Sequence, residues 1–185
     1  MKHIISLYEQ FKNEVMQPLG SVDQGNMTPP MPQIKAVLVG GLDDRTNDRN
    51  LAEQVVLLNA GLGKDIKEIQ GFRYSTKTQV VLDFLKAHPG VQVFLFSAGC
   101  TKAEAITKSG LVDKKKIYVI EPHAGYSNTR NTIQRAVNAG LPSSNVFVGK
   151  STPRGFGIVN GTTNSNSNSG HWGALTSVGL MKKGL

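Results

Sequence analysis

The chain has 185 residues, of which 39% are hydrophobic and 18% charged, and it contains a single cysteine, Cys100. This composition indicates one globular domain, or one domain with a short appendage, that buries a core without disulfides. One cysteine excludes an intrachain disulfide and a cysteine-rich zinc site. No apolar run approaches the roughly 18–20 residues of a membrane span, and the first residues lack the apolar core of a secretory signal. The composition therefore predicts a soluble, cytoplasmic protein.

The net charge of +8 is unevenly distributed along the chain. Residues 1–121 contain 15 Lys/Arg and 13 Asp/Glu, whereas residues 122–185 contain six Lys/Arg and no acidic residue. A basic region can attract nucleic acid or an anionic envelope polymer, or it can simply keep a surface soluble. The basic residues are scattered and no aromatic RNA-binding signature accompanies them. The charge therefore allows a nucleic-acid partner, but no motif supports one.

The first segment is predicted to be a helical arm that a linker separates from the main domain. Four apolar residues recur there at helical spacing: Ile4, Tyr8, Phe11 and Val15. Residues 20–32 contain three prolines and several small polar residues, which is typical of a linker. We therefore assign residues 1–32 to an N-terminal helix with its linker, and residues 33–185 to the main domain. The arm is expected to pack on the domain or to mediate self-association.

From residue 34 onwards, strand and helix patterns alternate. Short apolar runs predict strands at residues 34–39, 66–69, 91–96, 116–120 and 145–148, with a further one at 156–159. Amphipathic segments predict helices at residues 50–62, from a cap at Ser75 or Thr76 to Pro89, and at 101–108, 129–138 and 175–180. Strands separated by helices imply parallel crossovers. The sequence thus predicts a three-layer α/β fold, with a mostly parallel sheet of about five or six strands and helices on both faces.

In such sheets the functional residues lie just beyond the carboxyl ends of the strands. The strand at 91–96 is followed by Ser97, and residues 95–99 occupy the positions of the G-x-S-x-G turn. A serine on this turn projects its hydroxyl above the sheet, and the helix that follows supplies oriented N–H groups. Gly99 would allow close backbone approach. Leu95 stands where the motif prefers a small residue, and a serine that only caps a helix would give the same pattern.

Three other strand or loop ends carry candidate residues. Gly40, Gly41 and Leu42 follow the first strand, where backbone N–H groups could stabilise an oxyanion together with that of Ala98. Glu121 follows the strand after Ser97, where a carboxylate can orient a histidine or simply cap a loop. His171 follows a polar loop and could act as a general base, although a lone histidine is commonly a surface residue.

This chain order of glycine turn, serine, acid and histidine resembles the α/β-hydrolase superfamily, in a small form similar to cutinase-sized esterases and lipases. The resemblance covers residues 34 to about 180. It implies hydrolysis of an ester or related acyl bond, without a cofactor, in a small-molecule or polymer-attached substrate. It also implies the following roles: Ser97 as nucleophile, His171 as general base, Glu121 as the orienting acid, and Gly41, Leu42 and Ala98 as the oxyanion hole. Family members more often carry the acid after the next strand, but residues 149–152 contain no carboxylate.

Two other functions fit the same sequence. A non-catalytic structural or assembly protein could be built on a hydrolase-like scaffold, and both Leu95 and the early position of Glu121 favour it. A doubly wound phosphate- or nucleotide-binding domain could hold a phosphate at the helix that follows Ser97. The chain lacks both G-x-G-x-x-G and G-x-x-x-x-G-K-[ST], the usual motifs of such domains.

Neither Cys100 nor the acidic and histidine residues of the chain show the pattern of a second reactive site. Cys100 lies inside the start of a predicted helix, and Lys102 stands where a nucleophilic turn needs a small residue. We therefore expect Cys100 to be a semi-buried structural cysteine. Glu121 and His123 are close in sequence, but no second pair stands at ligand spacing, and no metal site is predicted.

Overall fold

A computed structural model of the chain describes residues 33–41, 48–122, 127–147 and 170–182. The strands in this part are β1 (Ala36–Val39), β2 (Ile69–Phe72), β3 (Gln92–Phe96), β4 (Ile117–Ile120) and β5 (Val146–Phe147). The helices are α1 (Asp48–Leu62), α2 (Thr78–Ala87), α3 (Ala103–Ser109), α4 (Ser127–Asn138) and α5 (Gly170–Met181). A 3-10 turn, Ser97–Lys102, connects β3 to α3.

The described strands form one all-parallel sheet in the order β2-β1-β3-β4-β5, which confirms the predicted parallel α/β fold. Val39 at the end of β1 is aligned with Phe72 on one side and Leu95 on the other. Strand order of this kind is one of the two common arrangements of doubly wound sheets. Ligands bind such sheets in the crevice where the winding direction reverses, which here lies between β1 and β3. The turn that begins at Ser97 lies at this crevice.

Alternate residues of the strands face two apolar layers, because the side chains of a strand point in turn to opposite faces. One layer joins the sheet to α2, α3 and α4 through Val81, Leu85, Ala103, Ile106, Ile133 and Ala136. The other joins it to α1 and α5 through Val55, Leu58, Leu62, Ala174, Leu175 and Val178. Burial on both faces explains why β1 and β3 read as nearly continuous apolar runs. Each fully buried aliphatic or aromatic side chain contributes about 1.5–3 kcal/mol to this packing.

Helices α1 and α5 approach each other closely because each has a glycine at the contact. A Cβ atom added to Gly61 would overlap the carbonyl oxygen of Thr176 and lie 2.8 Å from the Cα atom of Gly179. A Cβ atom added to Gly179 would lie 2.8 Å from the carbonyl oxygen of Leu58. The Thr176 hydroxyl also donates a hydrogen bond of 2.9 Å to the carbonyl oxygen of Leu57. These contacts fix α5, the helix that contains His171, on α1.

Two local predictions are wrong. The second strand starts at Ile69 rather than residue 66, because the Asp65 carboxylate accepts a hydrogen bond from the Lys67 N–H and holds 66–68 in a 3-10 turn. Helix α2 starts at Thr78 after Lys77, and no side chain caps it. The predicted caps, Ser75 and Thr76, belong to the preceding turn, in which the Thr76 N–H donates to the Arg73 carbonyl.

Several predictions concern segments that are not described. These predictions are the N-terminal arm, residues 1–32, and the strand at 156–159. Among the helices that are described, none combines the length and the apolar character needed to cross a bilayer.

Candidate functional site

Ser97 is the first residue beyond β3 and has a backbone angle φ of +53°. Residues other than glycine rarely adopt this left-handed conformation, and holding one there costs about 1–3 kcal/mol. Ser97 is also buried, with 3% of its surface exposed. The chain therefore turns sharply from strand to 3-10 turn on a strained serine, at the crevice between β1 and β3.

Two glycines allow the turn at Ser97 to pack against the end of β1. A Cβ atom added to Gly41 would lie 2.7 Å from the Cβ atom of Ser97 and 3.2 Å from its hydroxyl oxygen. A Cβ atom added to Gly99 would overlap the carbonyl oxygen of Val39 and lie 2.7 Å from that of Gly40. The expected role of Gly99, close approach of two backbone segments, is confirmed. Gly41 and Ser97 are in direct contact.

Glu121 has a position on β4 equivalent to that of Ser97 on β3. Its φ angle is +46°, it is 1% exposed, and its N–H donates a hydrogen bond of 2.8 Å to the carbonyl oxygen of Phe147. Since Phe96 is aligned with Ile120, Ser97 and Glu121 each lie one residue beyond an aligned pair. Since Val39 is aligned with Leu95, Gly41 falls in the same row as Ser97. We call Gly41, Ser97 and Glu121 the strand-end row.

The N–H group of Gly41 already has a hydrogen-bond acceptor. It donates to the side-chain oxygen Oε1 of Gln54 at 2.9 Å, and Gln54 is 1% exposed. A buried amide oxygen of this kind gives up its donor only if the side chain moves or another acceptor competes for it. The oxyanion-hole role of Gly41 stays a prediction, and it requires Gln54 to release this N–H. Ala98 is fully buried, whereas Leu42 lies outside the described residues.

His171 is in the first turn of α5, and the position of its side chain lies outside the description. The next residue, Trp172, packs against the apolar layer between the sheet and α1. The described part of the chain therefore brings Ser97, Gly41 and Glu121 together. The contact between Ser97 and His171 stays a prediction.

Cys100 is fully buried three residues after Ser97. Its thiol donates to the carbonyl oxygen of Leu95 at 3.1 Å, and burial raises its pKa far above the ordinary value, with a further rise from the nearby Glu121 carboxylate. A thiol that stays protonated is neither a nucleophile nor a ready metal ligand. Cys100 is thus a structural residue, and it is more deeply buried than expected.

Sequence reasoning missed Gln54 and Lys102 as parts of this region. Lys102 is 7% exposed, and its ammonium donates a hydrogen bond of 2.7 Å to the carbonyl oxygen of Tyr74, which ties the 3-10 turn to the segment after β2. Burial lowers the pKa of Lys102. A signal for Gln54 was available, because helical spacing places it on the same face as Leu51 and Leu58. A polar residue on a buried face needs a partner, and that partner is Gly41.

In the described residues, no three His, Cys, Asp or Glu side chains lie together in a way that could hold a metal ion. Comparison of the chain with protein-family models, with curated proteins and with solved structures finds no match. Assignment of function therefore depends on the geometry of the strand-end row and on the chemistry of its side chains.

Proposed function

We propose that this protein is a serine hydrolase, similar to α/β-hydrolases, that cleaves an ester or a related acyl bond. The observation that carries the proposal is Ser97 in a strained, left-handed conformation at the end of a central parallel strand. A nucleophilic serine needs such a sharp turn, because the turn separates its hydroxyl from the sheet and places it in front of the N–H groups that follow. Glu121, at the end of the neighbouring strand β4, supports the same proposal.

In this mechanism the Ser97 hydroxyl oxygen attacks the acyl carbonyl carbon while its proton passes to the His171 imidazole. The negative charge that develops on the carbonyl oxygen is stabilised by the Ala98 N–H, by the Leu42 N–H and, once Gln54 releases it, by the Gly41 N–H. The protonated imidazole then donates its proton to the leaving alcohol, which leaves an acyl-serine. Water, deprotonated by the imidazole, attacks this ester and releases the acid. Glu121 holds the imidazole in the required orientation.

A second candidate is a non-catalytic scaffold, and two observations favour it. Ser97 is almost fully buried, and the N–H of Gly41 is engaged by Gln54. Both would be natural in a turn that only closes the core. The two candidates differ in a measurable property, because only an activated serine reacts with a fluorophosphonate.

The test is labelling of the intact chain with a fluorophosphonate between pH 6 and 9, followed by mass spectrometry of the labelled peptide. We expect one adduct, on Ser97, which forms faster as the general base becomes neutral above about pH 6.5. Ser97→Ala should abolish the adduct. Ser144→Ala, which removes an exposed serine that precedes β5, is the control and should have no effect. Absence of labelling over the whole pH range, with a folded protein, would favour the scaffold.

The role of Glu121 is tested separately by Glu121→Gln, which keeps the shape of the side chain but removes its charge. We expect labelling of Ser97 to slow by roughly 10²–10⁴-fold, because the imidazole loses the group that orients and stabilises it. A labelling rate equal to that of the wild-type chain would remove Glu121 from the mechanism and leave Ser97 in it.

A further inference from the structure

The two glycines that follow β1 are packed between helix α1 and the turn that contains Ser97. A Cβ atom added to Gly40 would lie 2.6 Å from the side-chain oxygen Oε1 of Gln54, and one added to Gly41 would lie 3.2 Å from the Ser97 hydroxyl oxygen. The Gly40 N–H donates to the carbonyl oxygen of Phe72 at 2.8 Å, so it completes the pairing of β1 with β2. The Gly41 N–H is therefore the first backbone donor of this segment that the sheet does not use.

Gln54 binds this donor from within the core. Its Oε1 accepts the Gly41 N–H at 2.9 Å, and the side chain, which belongs to α1, is only 1% exposed. Leu51 and Leu58 lie on the same face of the helix by spacing, and Leu58 packs in the apolar layer against the sheet. An apolar residue at position 54 would fill such a place without the cost of burying an amide. The amide is therefore explained by its hydrogen bond to Gly41 rather than by packing.

The Gly41 N–H has one hydrogen, so Gln54 and a substrate oxygen compete for it. The carbonyl oxygen of a neutral ester is no stronger an acceptor than the amide oxygen of Gln54, and it does not displace that oxygen. When Ser97 attacks, the carbonyl oxygen becomes an anion, and hydrogen bonds to ionised acceptors are roughly twice as strong as neutral ones. The exchange of acceptors then favours the oxyanion.

We infer that Gln54 is a competing acceptor that occupies the oxyanion hole of the resting protein and releases the Gly41 N–H only to a charged oxygen. This inference rests on the proposed hydrolase function and concerns the regulation of the same site. Because the hydrogen bond between Gln54 and Gly41 breaks on the way to the transition state, its strength adds to the barrier of the reaction. A chain without this acceptor should therefore react faster than the wild type.

The test compares the rates at which a fluorophosphonate labels Ser97 in the wild-type chain, in Gln54→Met and in Gln54→Glu. Methionine is similar in length to glutamine but has no amide oxygen, so we expect labelling to be roughly two- to ten-fold faster, the factor for loss of one neutral hydrogen bond. Glutamate is a stronger acceptor and adds negative charge beside the oxyanion, so labelling should be roughly ten-fold slower. Gln79→Met, at an exposed position of α2, is the matched control and should label as the wild type does.

A purely structural role for Gln54 gives the opposite order of rates. If the amide only held Gly41 in place, Gln54→Met would loosen the turn and label more slowly, whereas Gln54→Glu, which keeps an acceptor, would label at about the wild-type rate. That order, or equal rates in Gln54→Met and the wild type, would overturn the inference and leave the hydrolase proposal intact. Labelling of Gln54→Met with an unreactive wild type would support both. No adduct on Ser97 in either chain, with both folded, would overturn both.

A measurement on the wild-type chain does not depend on how well a variant folds. In the phosphonylated protein the phosphonyl oxygen takes the place of the oxyanion, so the Gly41 N–H should leave Gln54. The side-chain N–H₂ signals of Gln54 should then shift in a ¹⁵N-resolved NMR spectrum, while those of the exposed Gln79 stay in place. Signals of Gln54 that are the same before and after phosphonylation would show that the hydrogen bond to Gly41 persists, and would overturn the inference.

Discussion

Replacement of Gly99 by alanine tests whether the turn at Ser97 depends on close contact between β1 and the 3-10 turn. The backbone of Gly99 does not have a positive φ, so alanine is compatible with its conformation. Restriction of the unfolded chain by the added methyl group would then stabilise the fold by about 0.4–1 kcal/mol. The opposing effect is steric: the methyl carbon would overlap the carbonyl oxygen of Val39 and lie 2.7 Å from that of Gly40.

The steric effect should be the larger one. Both opposing atoms belong to the backbone at the end of a central strand, and they cannot rotate away as the tip of a side chain could. To reach the ordinary separation of at least 3.4 Å, the end of β1 must move away from the turn. Overpacking of this kind costs about 1–3 kcal/mol, so we expect a net loss of about 1–2 kcal/mol. For a domain of this size, that corresponds to a fall in Tm of roughly 2–8 °C.

Thermal and urea denaturation measure this loss, and fluorophosphonate labelling of Ser97 measures its effect on the site. A misplacement near 1 Å can cost about 10²-fold in reactivity, so labelling should be slowed well beyond the effect on stability. The control is Gly110→Ala, where an added methyl group meets nothing within 4 Å but the φ angle is +67°. It should lose about 1 kcal/mol to backbone strain and label normally. A Gly99→Ala protein that is as stable as the wild type, with unchanged labelling, would refute the reasoning.

Two further predictions concern the core. Gly61→Ala should destabilise the fold by about 1–3 kcal/mol through its contact with α5, although alanine is the better helix former, whereas Ala60→Gly at the adjacent exposed position should cost only up to about 1 kcal/mol. Urea denaturation of both variants decides this, and a stabilised Gly61→Ala would mean that α1 and α5 are not in close contact. Cys100 should not react with a thiol reagent at pH 8–9 until the chain unfolds. Because its folded pKa is raised, the folded thiol keeps its proton while the unfolded thiol loses it above about pH 8.5. Stability should therefore fall as pH rises, by up to about 1.4 kcal/mol per pH unit, and this part of the slope should be absent in Cys100→Ala.

The order and type of most elements were predictable, because the periodicity of apolar residues follows directly from burial. Strands covered on both faces need continuous apolar runs, and β1, β3 and β4 have them. The second strand was misplaced because its sequence, IQGF, contains a glycine and lacks that pattern. It is a strand because α1 packs against it: a Cβ atom on Gly71 would lie 3.1 Å from a methyl group of Val55. Tertiary contact, rather than local preference, decides such a segment.

The carboxyl ends of the strands were also predictable as the place to look, because parallel topology gathers them at one edge. The backbone conformations and hydrogen bonds at that edge were not predictable from the sequence. Serine and glutamate have no intrinsic preference for positive φ, so their left-handed conformations follow from the packing of neighbouring segments. The occupation of the Gly41 N–H by Gln54 similarly depends on where α1 lies relative to β1. Spacing in the sequence could suggest partners for Ser97, but it could not show which hydrogen bonds their backbone atoms already make.

Two residues of the strand-end row, Ser97 and Glu121, lower stability both through backbone strain and through burial of a polar side chain. Ser97 and Glu121 are the only non-glycine residues with positive φ in the part of the chain that is described, and each is also a buried polar residue. Glycine would adopt either conformation with little strain and would bring no polar side chain to bury. Packing alone therefore favours glycine at both positions. The chain instead has serine at one and glutamate at the other, and each costs about 1–3 kcal/mol of backbone strain. Ser97 lies at the crevice between β1 and β3, and Glu121 lies at the end of the adjacent strand β4. We therefore propose that the strain at these two positions reflects a chemical use of the two side chains.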